Sequence, residues 1–290
     1  MSKVAVLTDS NSGITQAQSK ELGIFVEPMP FYIDGQLYYE DIDLTQDEFY
    51  EKLTQGGEIK TSMPITGNLM DTWDKILKDY DEIVYIPMSS GLSSSCATAK
   101  MLAEDYDGRV VVVDNQRISV TQKLSALEAK KLADMGKSAQ AICDALMSIK
   151  LDSRIYITVD TLEYLKKGGR LTPAVAAIGS LLKIKPVLSI YGEKLDKYSM
   201  ARTMKAAKTT MIEALKKDMD EVLKIESIDD VMISIAHTQN LEAAEKFKEE
   251  LLEEFPGKEI WIDPLSLSVS CHIGPGALAC TVTRKLINLD

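Results

Sequence analysis

Short apolar segments alternate with helical patterns through the first half of this chain, and that alternation restricts the folds it can adopt. Apolar runs at residues 3–7, 24–26, 83–87 and 109–113 have the length and composition of buried strands. Segments with helical spacing separate most of these runs, as expected for crossovers that join parallel strands. The pattern therefore predicts an α/β fold with a parallel sheet. A hairpin around Asp34-Gly35 is the exception.

The pattern changes near residue 152, where hairpins begin to mix with helical crossovers, as in α+β domains. Strands are predicted at 154–159, 186–190, 195–200, 231–236, 259–262 and 277–282, and helices at 162–167, 173–182, 203–225 and 241–255. A chain of 290 residues is long for one core. We predict an N-terminal α/β domain at 1–152 and a C-terminal α+β domain at 153–290, with the segment near 58–78 able to pack with the second domain. The cleft between two tightly packed domains is the expected ligand site.

A serine-rich loop, M-S-S-G-L-S-S-S-C at residues 88–96, follows the third apolar run and precedes a helix. Such loops lie at the carboxyl ends of parallel strands, where ligands bind, and a helix start offers free N–H groups. Because Gly91 lets the backbone approach a ligand closely, the loop is a candidate anion site. The alternative is that Ser93 or Ser94 only caps the helix. Two further hydroxyl-rich loops occur at 8–13 and 60–66.

Two histidines and two arginines of the second half are candidates for binding or chemistry. His272 precedes a Gly-Pro-Gly turn that has no helix or strand role in the predicted fold, which favours a functional position. His237 ends a predicted strand, where a structural role is more common. Arg170 follows two glycines, and Arg202 follows the second predicted hairpin. A guanidinium group suits carboxylate and phosphate, although a solvated surface charge is the simpler interpretation of each arginine.

Composition excludes several classes of partner and compartment. The net charge of −11, from 44 acidic and 33 basic residues, disfavours nucleic acid or an anionic membrane as the main partner, because both require a basic surface. The four cysteines form no CxxC pair and have no zinc-ligand spacing, so we expect free thiols. The sequence shows neither a signal peptide nor an apolar run of roughly 20 residues, the length of a membrane span. These features predict a cytoplasmic protein.

Common catalytic motifs are missing from the sequence. The P-loop pattern G-x-x-x-x-G-K-[ST], the nucleophile elbow G-x-S-x-G and a G-x-G-x-x-G after the first strand do not occur. Asp9, Asp114 and Glu163 do not form a convincing metal site or pair of catalytic carboxylates. We therefore predict no catalytic residue, no metal site and no cofactor.

An ordered set of motifs extends over the chain. The set comprises Thr8-Asp9-Ser10, Thr61-Ser62-x-Pro64, Ser89-Ser90-Gly91-Leu92-Ser93, Val113-Asp114, Leu162-x-Tyr164-Leu165-Lys166-Lys167-Gly168-Gly169-Arg170, Ile184-Lys185-Pro186 and His272-x-Gly274-Pro275-Gly276. In this order and at these distances, the motifs resemble the DegV family, the fatty-acid-binding subunits of bacterial fatty acid kinase. The resemblance covers essentially the whole chain.

The resemblance implies a two-domain α/β protein that buries one long-chain fatty acid in a tunnel between or beside its domains. By motif match, the carboxyl group would be held by Thr61, Ser62, Ser93 and His272. The incoming phosphate or the kinase would be faced by Arg170 and Arg202. The implied partner is a separate ATP-dependent subunit, the fatty acid kinase catalytic subunit, which forms an acyl-phosphate for phospholipid synthesis. Nucleic acid is not an expected partner, and membrane contact would be transient.

The chain departs from the family pattern at two places. Ser94-Ser95-Cys96 stands where Gly-Thr-Tyr is usual, and Asn115 stands where serine is common. Without that glycine the backbone of the serine loop could differ, and the smaller Cys96 could change the shape of the pocket.

Two other functions remain open at this point. One is a hydrolase or acyltransferase with Ser93 as nucleophile and His272 as base. The other is a binding module for a different small anion, such as a sugar phosphate, which the same hydroxyl-rich loops could hold.

Overall fold

The computed structural model describes residues 2–178 and 184–289. Internal contacts divide the chain into two compact units. Unit 1 comprises Met1–Leu151, Ser266–Ser268 and Leu286–Asp290, and unit 2 comprises Asp152–Leu265 and Val269–Lys285. Among the described residues, none of the helices has the length and apolar character that a membrane span requires.

Unit 1 is an α/β unit with a second, smaller sheet. Its elements in chain order are β1 (Val4–Asp9), α1 (Gln16–Leu22), β2 (Phe25–Glu27), β3 (Pro30–Ile33), β4 (Gln36–Tyr39), α2 (Gln46–Thr54), β5 (Ile59–Thr61), α3 (Thr66–Ile76), β6 (Glu82–Ile86), α4 (Ser95–Ala103), β7 (Val110–Val112), α5 (Val120–Asp134) and α6 (Ala139–Ser148). The larger sheet has the order β2-β1-β6-β7, and all of its strand pairs are parallel. The parallel sheet predicted from the sequence is therefore confirmed.

Helices cover both faces of the parallel sheet, which explains why its strands are apolar without alternation. On one face, Val4 and Val84 pack with Ala126 of α5 and Ile142 of α6. On the other face, the buried core consists of Ala5, Leu7, Leu69, Trp73, Ile76, Ile83, Tyr85, Ala99 and Val110. Successive residues of β1 thus enter different cores because side chains alternate across a strand.

The predicted hairpin forms, and one strand joins it that the sequence did not reveal. Asp34 and Gly35 both have positive φ, as a two-residue turn of type I′ requires. The segment at 60–66 was predicted as a loop, but it begins with β5, which pairs antiparallel with β3. The helix α3 follows this segment and begins at Thr66, and its N-cap is Ile65, which makes no side-chain capping bond.

Unit 2 is built on a six-stranded mixed sheet. Its elements are β8 (Ser153–Thr158), α7 (Glu163–Gly168), α8 (Pro173–Ala176), β9 (Lys185–Ile190), β10 (Asp196–Ala201), α9 (Met204–Lys217), β11 (Val231–His237), α10 (Leu241–Glu254), β12 (Ile260–Pro264), α11 (Leu267–Ile273, whose first two residues belong to unit 1) and β13 (Leu278–Arg284). The strand order is β10-β9-β8-β13-β11-β12, and only β11 and β12 pair in parallel. The core between this sheet and its helices contains Met211 and Leu215 of α9 and Phe247 and Leu251 of α10.

Three predictions in unit 2 need correction. The long helix predicted at 203–225 ends at Lys217 and continues only as a π-helical turn at Asp218–Val222. The helix predicted at 173–182 ends at Ala176, and its predicted end at residue 182 lies outside the described residues. The helix α11 was not predicted, because its seven residues are too few to show a helical period.

Glu40 joins the end of the hairpin to the start of α11 within unit 1. The Leu267 N–H donates to its carboxylate, and the Gln46 side-chain amide donates to Oε1 at 3.3 Å. The Oε2 atom is buried without a hydrogen-bond partner among the described residues. Burial, followed by the charge of Asp41, raises the pKa of Glu40 from 4.5 to about 8.

We expect Glu40→Gln to stabilise the protein increasingly as the pH rises. A carboxyl group whose pKa is raised by folding contributes most at low pH, and this contribution is lost as the pH passes through the folded-state value. Between pH 4.5 and about 8, the free energy of unfolding of the variant relative to wild type should increase by at most about 1.4 kcal/mol per pH unit. Urea unfolding across this range would measure the difference, with exposed Glu245→Gln as the control. A difference that stays constant with pH would contradict the assignment.

Candidate functional site

The carboxyl ends of β1 and β6 lie side by side in unit 1, since Thr8 pairs with Ile86. Two polar loops therefore leave the sheet together: residues 10–13 after β1, and the serine loop at 88–96 after β6. This is the edge at which open parallel sheets bind ligands. The predicted placement of the serine loop between a strand and a helix is thus observed.

The buried carboxylate of Asp9 connects these two loops. Its Oδ2 accepts a hydrogen bond from the Met88 N–H at 2.8 Å. Its Oδ1 accepts bonds from the N–H of Asn11 at 3.0 Å and from the side-chain amides of Asn11 and Gln122, each at 2.9 Å. Burial raises the pKa of Asp9, and these hydrogen bonds oppose that shift. Asp9 is fully buried, so it holds structure in place and does not contact solvent.

The serine loop is a compact turn around Ser89. The Ser89 carbonyl accepts bonds from the N–H groups of Leu92 and Ser93, each at 3.1 Å. Ser93 lies at the start of α4, where its Oγ accepts a bond from the Ser95 N–H at 3.2 Å. Ser94 is the N-cap residue but makes no side-chain capping bond. Ser93 therefore has the local role of the capping alternative, while a hydroxyl that accepts one bond can still donate its proton to a ligand.

The first departure from the family pattern leaves the backbone of the serine loop in an ordinary conformation. Ser94 has φ −75° and ψ −7°, so the position does not need the positive φ of a glycine. Cys96 is fully buried beneath the loop, and burial together with the charge of Asp114 raises the pKa of its thiol to about 12. Asn115 is also buried, and its amide donates to Ser125 Oγ on α5 at 2.8 Å.

Thr61 and Ser62 lie at the end of β5, in a segment that reaches the serine loop. The Ser62 N–H donates to the Pro30 carbonyl at 3.3 Å, which extends the pairing of β5 with β3. The next residue, Met63, places its sulfur 3.9 Å from Ser94 Oγ and 3.4 Å from Thr98 Oγ1. The structure thus brings the segment with Thr61 and Ser62 against the loop that carries Ser93.

His272 lies in unit 2, in the last turn of α11. The Gly-Pro-Gly turn that follows it belongs to neither a helix nor a strand, as predicted. Its imidazole ring packs on the backbone of α7, and a Cβ atom on Gly168 would lie only 2.2 Å from His272 Nδ1. Burial, followed by the positive charge of Arg170, lowers the pKa of His272 to about 4. The imidazole is therefore neutral at physiological pH.

The two candidate arginines occupy different turns of unit 2. Arg170 follows Gly169, which ends α7 with φ +69°, and the Arg170 guanidinium donates to the carbonyl of Gly168. Arg170 is consequently held beside His272, on the residue against which the imidazole packs. Arg202 is exposed in the turn between β10 and α9, next to Thr203, which caps α9.

The Gly-Pro-Gly turn lets the backbone after His272 approach two side chains. A Cβ atom on Gly274 would lie 2.2 Å from Tyr164 Cδ2, and one on Gly276 would lie 2.3 Å from Asp160 Oδ2. Both glycines also have positive φ. The turn is evident from the sequence, but the packing of Tyr164 and Asp160 on it is not, because only the fold brings these segments together.

The other histidine, His237, has a structural role. His237 ends β11, and its Nδ1 accepts a bond from the Asn240 N–H at 3.2 Å. Within the described ranges, no group of three His, Cys, Asp or Glu side chains is arranged to hold a metal ion. The arrangement offers neutral donors in two places, hydroxyl groups in unit 1 and an uncharged imidazole in unit 2.

The comparisons with known sequences identify one family. A model described as "Uncharacterised protein, DegV family" matches residues 3–285. Protein DegV of Bacillus subtilis is 32% identical over 280 residues, which are 95% of this chain and 97% of that protein. A DegV domain-containing protein of Staphylococcus aureus is 29% identical over 285 residues, or 98% of this chain and 100% of its own length.

Solved structures of fatty-acid-binding relatives have the same fold. A structure described as fatty acid binding of a DegV family protein from Thermus thermophilus has a TM-score of 0.87 at 27% identity, covering 97% of this chain and 99% of that chain. DegV of Bacillus subtilis, described as a fatty acid binding protein, has a TM-score of 0.85 at 30% identity, covering 98% and 100%. These matches confirm the predicted α/β fold class. The resemblance noted in the sequence is also confirmed, and the chain belongs to the DegV family.

Proposed function

We propose that the chain binds one long-chain fatty acid and presents its carboxyl group to a separate ATP-dependent kinase. The observation that carries the proposal is the pair of neutral donor sets, the hydroxyl groups near the serine loop and the uncharged imidazole of His272. The Thermus and Bacillus relatives, which are described as fatty acid binding, support the ligand class. The carboxyl group is held in this proposal by Thr61, Ser62, Ser93 and His272.

The free energy of binding comes mainly from the acyl chain. About fourteen methylene groups at ~0.8 kcal/mol each give roughly 11 kcal/mol before the entropic costs of association. Each hydrogen bond to the charged carboxylate adds about 1.5–3 kcal/mol, and a buried carboxylate left without donors would be costly. The polar residues therefore orient the head group, while the tail supplies affinity.

The proposal also assigns a role to Arg170 and Arg202 and a reaction to the kinase. We assign Arg170 and Arg202 to the phosphate group or to the kinase surface, because a guanidinium group bonds phosphate oxygens well. The chain itself then needs no catalytic group, since the kinase catalytic subunit transfers the phosphate. The product would serve phospholipid synthesis in the cytoplasm, with transient membrane contact on delivery.

The hydrolase alternative is less well supported by the electrostatics of His272. A general base works best when its pKa lies near the working pH. The pKa of His272 is lowered to about 4, which makes the imidazole a weak base at neutral pH. The small-anion alternative is distinguished by the first experiment below.

We expect native mass spectrometry of protein purified without added lipid to show one bound fatty acid. Organic extraction should release a single chain of roughly 14 to 18 carbons, the range that includes the roughly fourteen methylene groups assumed for the tail energy. Ser93→Ala should weaken oleate binding about tenfold, the equivalent of one lost charge-assisted bond, while Ser148→Ala on the exposed end of α6 should not. Protein that stays ligand-free after incubation with fatty acids, but binds a sugar phosphate, would overturn the proposal.

Gly168→Ala should displace the His272 imidazole, because the new methyl group would occupy the space of Nδ1. We expect roughly a tenfold loss of oleate affinity, as for loss of one bond to the carboxylate. Gly67→Ala is the matched control, since a Cβ atom at this helical position of α3 contacts nothing within 4 Å. Calorimetric titration would measure both. Equal affinities for the two variants would show that the His272 ring does not contribute.

Arg202→Ala should keep oleate affinity but lose acyl-phosphate formation by a fatty acid kinase catalytic subunit with ATP. The exposed side chain of Arg202 is assigned to the kinase or the phosphate and not to the lipid. Lys246→Ala, which removes an exposed cation of α10, is the charge-matched control. Loss of oleate binding in Arg202→Ala would contradict this division of roles.

A further inference from the structure

We propose that Asp9, Ser10 and Asn11 are positioning residues that hold three other segments of the chain in register without contacting the ligand. Each of the three side chains bonds to a different segment. Two of these segments carry residues that we assign to the carboxyl group, and the third pairs with the strand that carries Thr61. The consequence for affinity rests on the proposed function. The hydrogen bonds themselves do not, so they can be tested separately.

Asp9 fixes the position at which the serine loop begins. Its Oδ2 accepts the Met88 N–H at 2.8 Å, directly before the Ser89 turn that leads to Ser93. The carboxylate has no exposed surface, so a ligand cannot reach it. A displaced Met88 would shift the following turn, because the carbonyl of Ser89 accepts two backbone bonds within it.

Ser10 holds the entrance to β3, the strand with which the segment of Thr61 and Ser62 pairs. Its Oγ accepts the Met29 N–H at 3.0 Å, at the entrance to β3. The neighbouring Pro30 carbonyl accepts the Ser62 N–H at 3.3 Å, and Thr61 is paired with the next residue of β3. A single buried hydroxyl thus fixes the strand on which this segment is aligned.

Asn11 bonds to the first turn of α11, the helix that carries His272. Its Oδ1 accepts the hydroxyl of Ser268, the second residue of α11, at 2.6 Å. His272 lies four residues further on, and positions four apart share one helical face. Ser268 and His272 therefore lie on the same face of α11.

The side chains of Asp9 and Asn11 form one hydrogen-bonded network, and Ser10 lies between them in the same loop. The N–H and side-chain amide of Asn11 both donate to Asp9 Oδ1, so Asn11 and Asp9 cannot move independently. The exposed fractions of Asp9, Ser10 and Asn11 are 0%, 6% and 1%, so all three residues are shielded from water. A satisfied polar network in a dry environment is rigid, because breaking one bond leaves a buried group without a partner.

Ser12 provides a matched comparison in the same loop. It is as buried as Asp9, but its Oγ accepts only the local Ile14 N–H at 3.2 Å among the bonds described. Ser10→Ala and Ser12→Ala therefore remove the same group from the same loop. Only the first breaks a bond at the entrance to β3, the strand with which the segment of Thr61 and Ser62 pairs.

The first test uses the two histidines of the chain as reporters. In NMR spectra of the imidazole groups, Ser268→Ala should move the signals of His272 and leave those of His237, while Ser268→Thr should restore them. Unchanged His272 signals in Ser268→Ala would overturn the link through Asn11. This readout needs no ligand, so it remains decisive even if wild-type protein fails to bind oleate, which would refute only the proposed function.

The second test measures oleate affinity by calorimetric titration. Ser10→Ala and Ser268→Ala should each weaken binding roughly tenfold, and Ser12→Ala should change it less than about twofold. Ser268→Thr, which keeps the hydroxyl, should bind within about threefold of wild type. If Ser12→Ala weakens binding as much as Ser10→Ala, the effect is one of general stability and the positioning role is wrong.

Discussion

A buried carboxylate with four hydrogen-bond donors fixes the loops at the carboxyl edge of the parallel sheet in unit 1. Asp9 has no access to water, so the free energy of its burial must be offset by the Met88, Asn11 and Gln122 donors. These donors come from three separate parts of the chain. Because removing any one would leave a polar group buried without a partner, the loops after β1 and β6 have little freedom to shift. This constraint fixes the position at which the serine loop begins.

A different constraint acts in unit 2, where space and not charge determines the arrangement. The imidazole of His272 occupies the volume that a side chain at Gly168 would fill, and Tyr164 occupies the corresponding volume at Gly274. This close packing removes water from the ring, which is the main reason that its pKa falls to about 4. The same contact thus sets both the position of the histidine and its charge.

The sequence predicted the elements whose signals are local. The Asp34-Gly35 turn and the apolar strands of the parallel sheet follow from residue types and spacing alone. Short elements were missed, since β5 with three residues and α11 with seven contain too little periodicity to detect. The candidate residues were found by motif, but the roles of Gly168 and Asn11 depend on segments more than a hundred residues away, which only the fold brings together.

A neutral histidine has a consequence for how a carrier would respond to its surroundings. Because the pKa of His272 is about 4, even a rise of one or two units on binding of a carboxylate would leave the ring uncharged near neutrality. Loading would then take up no proton at this position. For the proposed carrier, the hydrogen bond from this histidine to its cargo would therefore keep the same strength across the pH range near neutrality.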